Sequence, residues 1–376
     1  MHIYFYSRHE RGYYEHAYAQ WRKHGGDFIE QLLSQSNTMM SWRKEFANFG
    51  HQLIVDPRGS YLLPQQIRAY LPLPIAQFMQ GALWVTKIDR ELLYRDILAR
   101  IKKIKPDNVY INLGSAAPAS LLEKIKSAGF MLWQWCDLPA KTMLERDRVN
   151  LPFFDLIVTP ANLEAGFRAA GATAQIKYVP LAVDPNIYYP MQLTAEDHGK
   201  LGSDVCFVGG LGNQFHSERR KMVEYAIENG INIKIWGGYR DHFVNSPILK
   251  CWQGQIWGKD QVKALCAAKI GLNFHVNHEA GELDRGLNSR AFELAACGVF
   301  QLLQRVPSVE EFFEEDKEIV CFDTKEEMVD KLHFYLAHDD VRIRIANSAR
   351  ERLIHNHTWH NRIEQISNIL GHFINP

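Results

Sequence analysis

No two of the six cysteines are spaced C-x-x-C. Cys136, Cys206, Cys251, Cys266, Cys297 and Cys321 stand apart, most of them in apolar runs. That pattern fits reduced, buried, structural cysteine in a cytoplasmic protein. Long hydrophobic runs are also missing. The longest apolar region, from Tyr61 to Trp84, is broken by Pro64, Arg68, Pro72 and Pro74, so no stretch approaches the ~20 residues of a membrane span. The opening residues, Met1 to Arg8, meet a charge before a signal-peptide core forms. Excess charge of either sign is absent: Lys+Arg and Asp+Glu are both 43, which removes the bulk electrostatic argument for nucleic acid. No short-period repeat or low-complexity tract stands out, and no Ser/His/Asp or Cys/His arrangement emerges, so hydrolase chemistry has no support. Arg100-Ile101-Lys102-Lys103-Ile104-Lys105 keeps a peripheral membrane contact open. The same run reads equally as a solvated helix end.

What is present is an ordinary globular composition, 46% hydrophobic and 23% charged over 376 residues, enough for two domains. Short apolar runs at 2–6, 51–56, 108–113, 130–135 and 154–159 read as strands. Amphipathic stretches at 39–49, 121–128 and 162–169 read as helices. The pattern restarts near residue 203. Strands are expected at 204–208, 232–236, 270–275, 299–303 and 319–322, and helices at 217–228, 259–268 and 289–296, with a final amphipathic helix at 359–373. Ser217 is the expected cap of its helix, and Ser308–Glu311 and Thr324–Glu327 both fit the S/T-x-x-E capping box. Such alternation predicts crossover β-α units and two parallel sheets. The join is placed in the proline-bearing run from Tyr178 to Pro185, giving domains 1–183 and 184–358 with a helix of about 359–376 packed back on the first. Ligands of such folds bind beside the carboxyl ends of the strands.

Two constellations carry candidate chemistry. Val208-Gly209-Gly210-Leu211-Gly212 follows a buried strand and precedes Ser217-Glu218-Arg219-Arg220. Glycines let backbone approach a ligand, and arginines fork onto phosphate oxygens; the plainer reading is a tight turn and a solvated helix start. Asn288-Ser289-Arg290 opens a second helix, with Glu293 one turn inward. That helix end suits an anion, and a carboxylate beside it can accept two hydrogen bonds from a vicinal diol. Together they describe the ribose and phosphates of a nucleotide; alternatively Glu293 only complements the helix dipole. His275-Val276-Asn277-His278-Glu279 with Glu282 contains metal-ligand residue types but lacks a further fixed partner, so polar lining is preferred to a metal. His355, His357 and His360 read as packing. Tyr13, Tyr14, His16, Tyr18 and Trp21 offer rings for stacking on an acceptor sugar, or for a lid or an oligomer contact.

The run Lys269-Ile270-Gly271-Leu272-Asn273-Phe274, then Ser289-Arg290-Ala291-Phe292-Glu293 and Ala296-Cys297-Gly298, resembles the C-terminal half of the CgeB-type, spore-maturation-protein-like group of GT-B glycosyltransferases. Phe312-Phe313, Arg344-Ile345-Ala346 and His357-Thr358-Trp359-His360-Asn361-Arg362 extend the likeness, which covers about residues 176–365. The N-terminal half matches more loosely, at Phe49-Gly50-His51 and Trp135-Cys136-Asp137. The resemblance implies two Rossmann-like, doubly wound α/β domains with a cleft between them. It implies an N-terminal acceptor domain and a C-terminal domain that holds a nucleotide-diphosphate sugar as co-substrate, with no metal and no other cofactor. It further implies that Glu293 grips the ribose and that Asn288, Ser289 and Arg290 face the diphosphate. Gly209, Gly210 and Arg219 approach the phosphates from the opposite loop, and the base lies near Gln255-Ile256-Trp257. One departure stands out. Many retaining members carry two glutamates eight positions apart, whereas Arg285 occupies the first position here, leaving retention or inversion open. Asp137, after an expected strand, is the candidate acceptor-side base, or else it starts a turn before Pro139. The acceptor, whether glycan, lipid, protein or small molecule, is not named by the sequence. Two rivals are a nucleotide-sugar epimerase on the same fold and a non-catalytic coat or surface-assembly protein.

Overall fold

Short β-branched and aromatic runs separated by amphipathic stretches produce crossover β-α units in the computed structural model, which describes residues 1–6, 37–56, 87–112, 117–138, 140–211, 217–275 and 286–374. The chain divides into two compact units, Met1–Val179 with Ile363–Pro376, and Pro180–Arg362. In the first, β1 (His2–Tyr6), β2 (Gln52–Asp56), β3 (Asn108–Ile111), β4 (Met131–Trp135), β5 (Leu156–Thr159) and β6 (Gln175–Tyr178) form one parallel sheet in the order β2-β1-β3-β4-β5-β6. Helices α1 (Asn37–Asn48), α2 (Lys87–Ile104), α3 (Ala119–Ser127) and α4 (Glu164–Ala169) lie between strands. Gly50, at φ +73°, turns the chain out of α1, and the His51 amide returns to the Phe46 carbonyl at 2.8 Å. β3 and β5 are buried at every position, as expected of strands covered on both faces.

The second unit repeats the plan. α5 (Ala195–Leu201) precedes β7 (Ser203–Val208). There follow α6 (Ser217–Glu228), β8 (Ile233–Trp236), α7 (Gly258–Cys266), β9 (Ala268–Asn273), α8 (Ser289–Ala296), β10 (Phe300–Gln304) and β11 (Val320–Phe322). The parallel sheet runs β11-β10-β9-β7-β8. Helices α9 (Lys325–Ala337), α10 (Asp339–Asn356) and α11 (Trp359–Ile374) complete the chain, and α11 passes from the second unit into the first at Ile363. One face of this sheet is packed by Val205, Phe207, Ile233, Ile235, Ile270, Leu272 and Phe274, all fully or nearly fully buried. On the other, Gly271 makes room for α8. A Cβ there would stand 2.3 Å from Leu294 Cδ2, so the missing side chain lets the helix lie directly on β9.

Several local expectations are corrected. Ser308 does not cap a helix; its hydroxyl instead accepts the Gly286 amide at 2.9 Å, tying down the residues just before α8. Thr324 does cap α9, accepting the Glu327 amide at 3.1 Å, but the Glu327 carboxylate takes the Asp323 amide rather than that of Thr324. The reciprocal capping box lies at Thr194 and Asp197. Ser217 is the first residue of α6 rather than its cap. The aromatic segment around Tyr13 to Trp21, the region Tyr61 to Trp84, Arg285, and the cluster of His278, Glu279 and Glu282 lie outside the described residues. Among the described residues no helix is long and apolar enough to cross a membrane.

His357 explains the terminal histidine–aromatic motif by packing. Its ring sits 5.5–5.7 Å from the rings of Phe292, Phe312 and Phe313. Nδ1 accepts from Arg362 Nη2 at 2.9 Å, which leaves the Nε2 proton for the Phe312 carbonyl at 3.0 Å. Burial, with the Arg362 charge adding to it, holds the imidazole pKa down at about 4. A folded-state pKa below the unfolded 6.5 favours folding while the ring is neutral. That contribution is complete above pH 6.5 and is lost as pH falls toward 4. Thermal midpoints should therefore drop over this window, with a shallower slope in His357→Asn. A slope unaltered by the substitution would refute the assignment.

Candidate functional site

Chain order in the second sheet reverses between β7 and β9, which pair directly through Val205↔Ile270 and Cys206↔Gly271. Connections leave such neighbours toward opposite faces and open a crevice at their carboxyl ends. β7 ends in Gly209-Gly210 and β9 in Phe274-His275. The loops after β7 and β8 touch backbone to backbone. The Gly209 amide donates to the Trp236 carbonyl at 2.9 Å, and a Cβ on Gly237, whose φ is +109°, would lie 2.5 Å from the Gly209 carbonyl oxygen. The Gly237 amide in turn donates to Gly254 (2.8 Å), and Gln255 Nε2 donates to the Gly238 carbonyl (3.3 Å). These bonds bring 254–257 beside the glycine loops, where Trp257 is 62% exposed.

Arg219, in the first turn of α6, bridges the two strand ends. Nη1 donates to the Gly210 carbonyl at 3.1 Å and Nη2 to the Phe274 carbonyl at 3.3 Å. The guanidinium carbon lies 5.9 Å from the Phe207 ring centroid. Nε is buried with no hydrogen bond, and no carboxylate pairs with this side chain among the described residues. Desolvation lowers its pKa to about 10, so it remains a cation at neutral pH. A half-buried cation whose described partners are all neutral lacks the compensation such groups ordinarily have. Its neighbour differs: Arg220 is occupied by Glu224 at 2.9 Å and the His242 carbonyl at 2.8 Å.

Asn288 organises the facing side. As the α8 cap it accepts the Ala291 amide at 3.1 Å, while Nδ2 donates to Asn273 Oδ1 at 3.0 Å and to the Phe274 carbonyl at 2.9 Å. The Phe274 carbonyl therefore serves both Arg219 and Asn288, linking the β7 side of the crevice to the helix start. The Asn288 amide donates to His275 Nε2 at 3.1 Å. Burial, reinforced by the Arg219 charge, lowers the His275 pKa to about 4. Ser289 is exposed at the helix end. Arg290 lies against Glu293 instead of projecting from that end. Nη1 and Oε2 are 2.5 Å apart, with the side chains 18% and 13% exposed. The contact is not aligned as a hydrogen bond, so Arg290 Nε and Nη1 and Glu293 Oε2 stay buried without one.

Thus Gly209, Gly210, Arg219 and Asn288 join one hydrogen-bonded group at the end of β7 and β9. Ser289, Arg290 and Glu293 follow on α8, and Trp257 belongs to the adjoining glycine segment. Asp137 belongs to the first unit, two residues beyond β4. It keeps accessible surface, yet desolvation by surrounding atoms raises its carboxyl pKa. Gly237, Gly238 and His275 also belong to the second-unit group. The glycine pair could have been flagged, because it repeats after β8 what Gly209-Gly210 does after β7. Among the described residues no group of three or more His, Cys, Asp or Glu is placed to hold a metal ion.

Residues 218–368 match the family model described as Glycosyl transferase-like. No curated protein matches the chain. Solved structures do. The sucrose-phosphate synthase from Thermosynechococcus elongatus aligns at a TM-score of 0.62 and 13% identity, over 100% of this chain and 99% of its own. A glycosyltransferase from Rickettsia africae ESF-5 aligns at 0.63 and 12% identity, over 98% and 97%. HepE of Anabaena, in complex with UDP-glucose, aligns at 0.60 and 12% identity, over 99% of each chain. The chain thus has the GT-B fold, two parallel-sheet α/β units, with a glycosyl transferase-like domain over most of the second.

Proposed function

We propose that this chain, a glycosyltransferase by its domain and its GT-B fold, moves a sugar from a nucleoside diphosphate donor to an acceptor hydroxyl without a metal ion. The observation that carries the donor assignment is Arg219, a half-buried cation without an acid partner among the described residues, at the topological switch point of the second sheet. Cleavage of the glycosidic bond places negative charge on the departing diphosphate. Arg219 and the open amides at the start of α8 stabilise that charge without reorganising, which favours the transition state over the bound donor. Glu293 takes the ribose diol, with Arg290 steadying its carboxylate. Trp257 offers an exposed ring for the base, as aromatic side chains do in stacking. HepE, with a similar fold, binds UDP-glucose, which makes a uridine nucleotide the first to try. Within the GT-B class, the run from Lys269 to Gly298 supports membership in the CgeB-like group, and the isolated cysteines support a cytoplasmic location.

Asp137 is the proposed acceptor-side base, because a carboxyl with a raised pKa is the better proton acceptor. A thermal-shift screen over UDP, ADP, GDP, CDP and dTDP tests the donor assignment. At a hundredfold excess over Kd the favoured diphosphate should stabilise the protein by about 2.7 kcal/mol. Absence of a shift with all five would overturn it. Asp137→Asn should keep the full shift while donor turnover falls by about 10² or more. Unchanged turnover would remove Asp137 from the mechanism.

A further inference from the structure

We propose that His275 is a neutral hydrogen-bond donor to the donor's diphosphate, locked in its Nδ1–H tautomer by the main-chain amide of Asn288. This assignment rests on the donor-site reading above and adds a residue to it. A main-chain N–H only donates, so the 3.1 Å contact from Asn288 requires a lone pair on Nε2. In a neutral imidazole the proton then resides on Nδ1. Neutrality follows from the surroundings: burial and the Arg219 cation both oppose a second proton. Nδ1 has no hydrogen-bond partner among the described residues, and the residue is only half-buried. The neighbouring residue, Phe274, is the one whose carbonyl receives both Arg219 Nη2 at 3.3 Å and Asn288 Nδ2 at 2.9 Å. The ring is therefore held at the start of α8 by Nε2 and within reach of the Arg219 charge, in the part of the crevice where phosphate oxygens are expected. An imidazolium at this place would repel Arg219, whereas a neutral ring adds a donor without adding charge.

The same bond decides between the two readings of the His275-x-x-His278 spacing. With Nε2 accepting from Asn288 and Nδ1 protonated, the ring has no lone pair to offer a metal. His275 is therefore a donor in this arrangement and not a ligand.

Two substitutions separate the ring's two nitrogens. His275→Gln puts an amide oxygen near the Nε2 position and keeps an acceptor for Asn288, but removes the Nδ1 proton. His275→Asn keeps a donor near Nδ1 and gives up that acceptor. Calorimetric titration should find diphosphate affinity reduced about tenfold to a hundredfold in His275→Gln, the range of one hydrogen bond to a charged group. His275→Asn should lose less than about threefold. ¹⁵N spectra of histidine-labelled wild type should show a neutral, Nδ1-protonated ring from pH 5.5 to 8, with the Nδ1 proton moving downfield on addition of UDP. Equal affinity of wild type and His275→Gln, equal losses in both variants, or an Nε2-protonated ring would each overturn the assignment. Failure of the wild type to bind any of the five diphosphates would instead overturn the donor site itself. The ring's tautomer can be read without ligand and distinguishes the two failures.

Discussion

Arg219→Met should weaken nucleoside diphosphate binding by about thirtyfold or more while leaving thermal stability close to that of the wild type. A guanidinium that meets phosphate oxygens makes charge-assisted hydrogen bonds of roughly 1.5–3 kcal/mol each, and about 2 kcal/mol already corresponds to thirtyfold. Stability behaves differently because no described residue offers this cation an acid. Removing it relieves a desolvated charge but takes a donor from the Gly210 carbonyl, while the Phe274 carbonyl keeps Asn288 Nδ2, two opposing effects of similar size. Methionine keeps an apolar stem beside the Phe207 ring. Arg219→Lys should recover only part of the affinity, since an ammonium cannot fork to two oxygens. Calorimetry with the diphosphate and with the bare nucleoside separates the phosphate contribution, and the nucleoside affinity should stay within about twofold. A parallel loss for nucleoside and diphosphate would mean that Arg219 only shapes the loops. An unchanged diphosphate affinity would remove the anion site from the crevice.

How much of this was legible beforehand depends on the range of the interaction concerned. The buried runs that became β3, β4, β5, β7, β8 and β9 announce themselves by apolar continuity, and Asn288 announces a helix start by its type and place. β6 was missed because Gln175 and Lys177 are exposed on an edge strand, which leaves too weak an apolar signal. Ser308 misled for a related reason. The S-x-x-E pattern is local, but the hydroxyl found Gly286, twenty-two residues away, and satisfied it instead. Glycines after β7 and an arginine in α6 were visible separately. That the arginine reaches the end of β9, fifty-five residues on, follows from strand order, which no periodicity encodes. His275 carried two readings because residue type alone does not say where its lone pair goes. The amide of Asn288 does.

Glu293→Gln should abolish most of the wild-type preference for a ribonucleoside diphosphate over its 2′-deoxy counterpart. A carboxylate accepts from both hydroxyls of a vicinal diol, and losing one such bond costs roughly 1.5–3 kcal/mol, so the wild type should favour the ribo form by about tenfold to a hundredfold. A carboxamide has one accepting oxygen and a competing NH₂ donor, which should bring the ratio below about threefold. The complication is Arg290, 2.5 Å from the carboxylate and equally enclosed. Neutralising one member of such a pair leaves the other charge uncompensated, so the single variant should also lose stability. With both side chains still partly exposed, the loss should fall below the 3–5 kcal/mol of a fully buried pair. Arg290→Met combined with Glu293→Gln removes both charges and should restore most of that stability without restoring the discrimination between sugars. Because binding selectivity and folding stability then move independently, a destabilised fold cannot pass for a lost ribose contact. If the double variant regained the ribo preference along with its thermal midpoint, Glu293 would be a partner for Arg290 and nothing more.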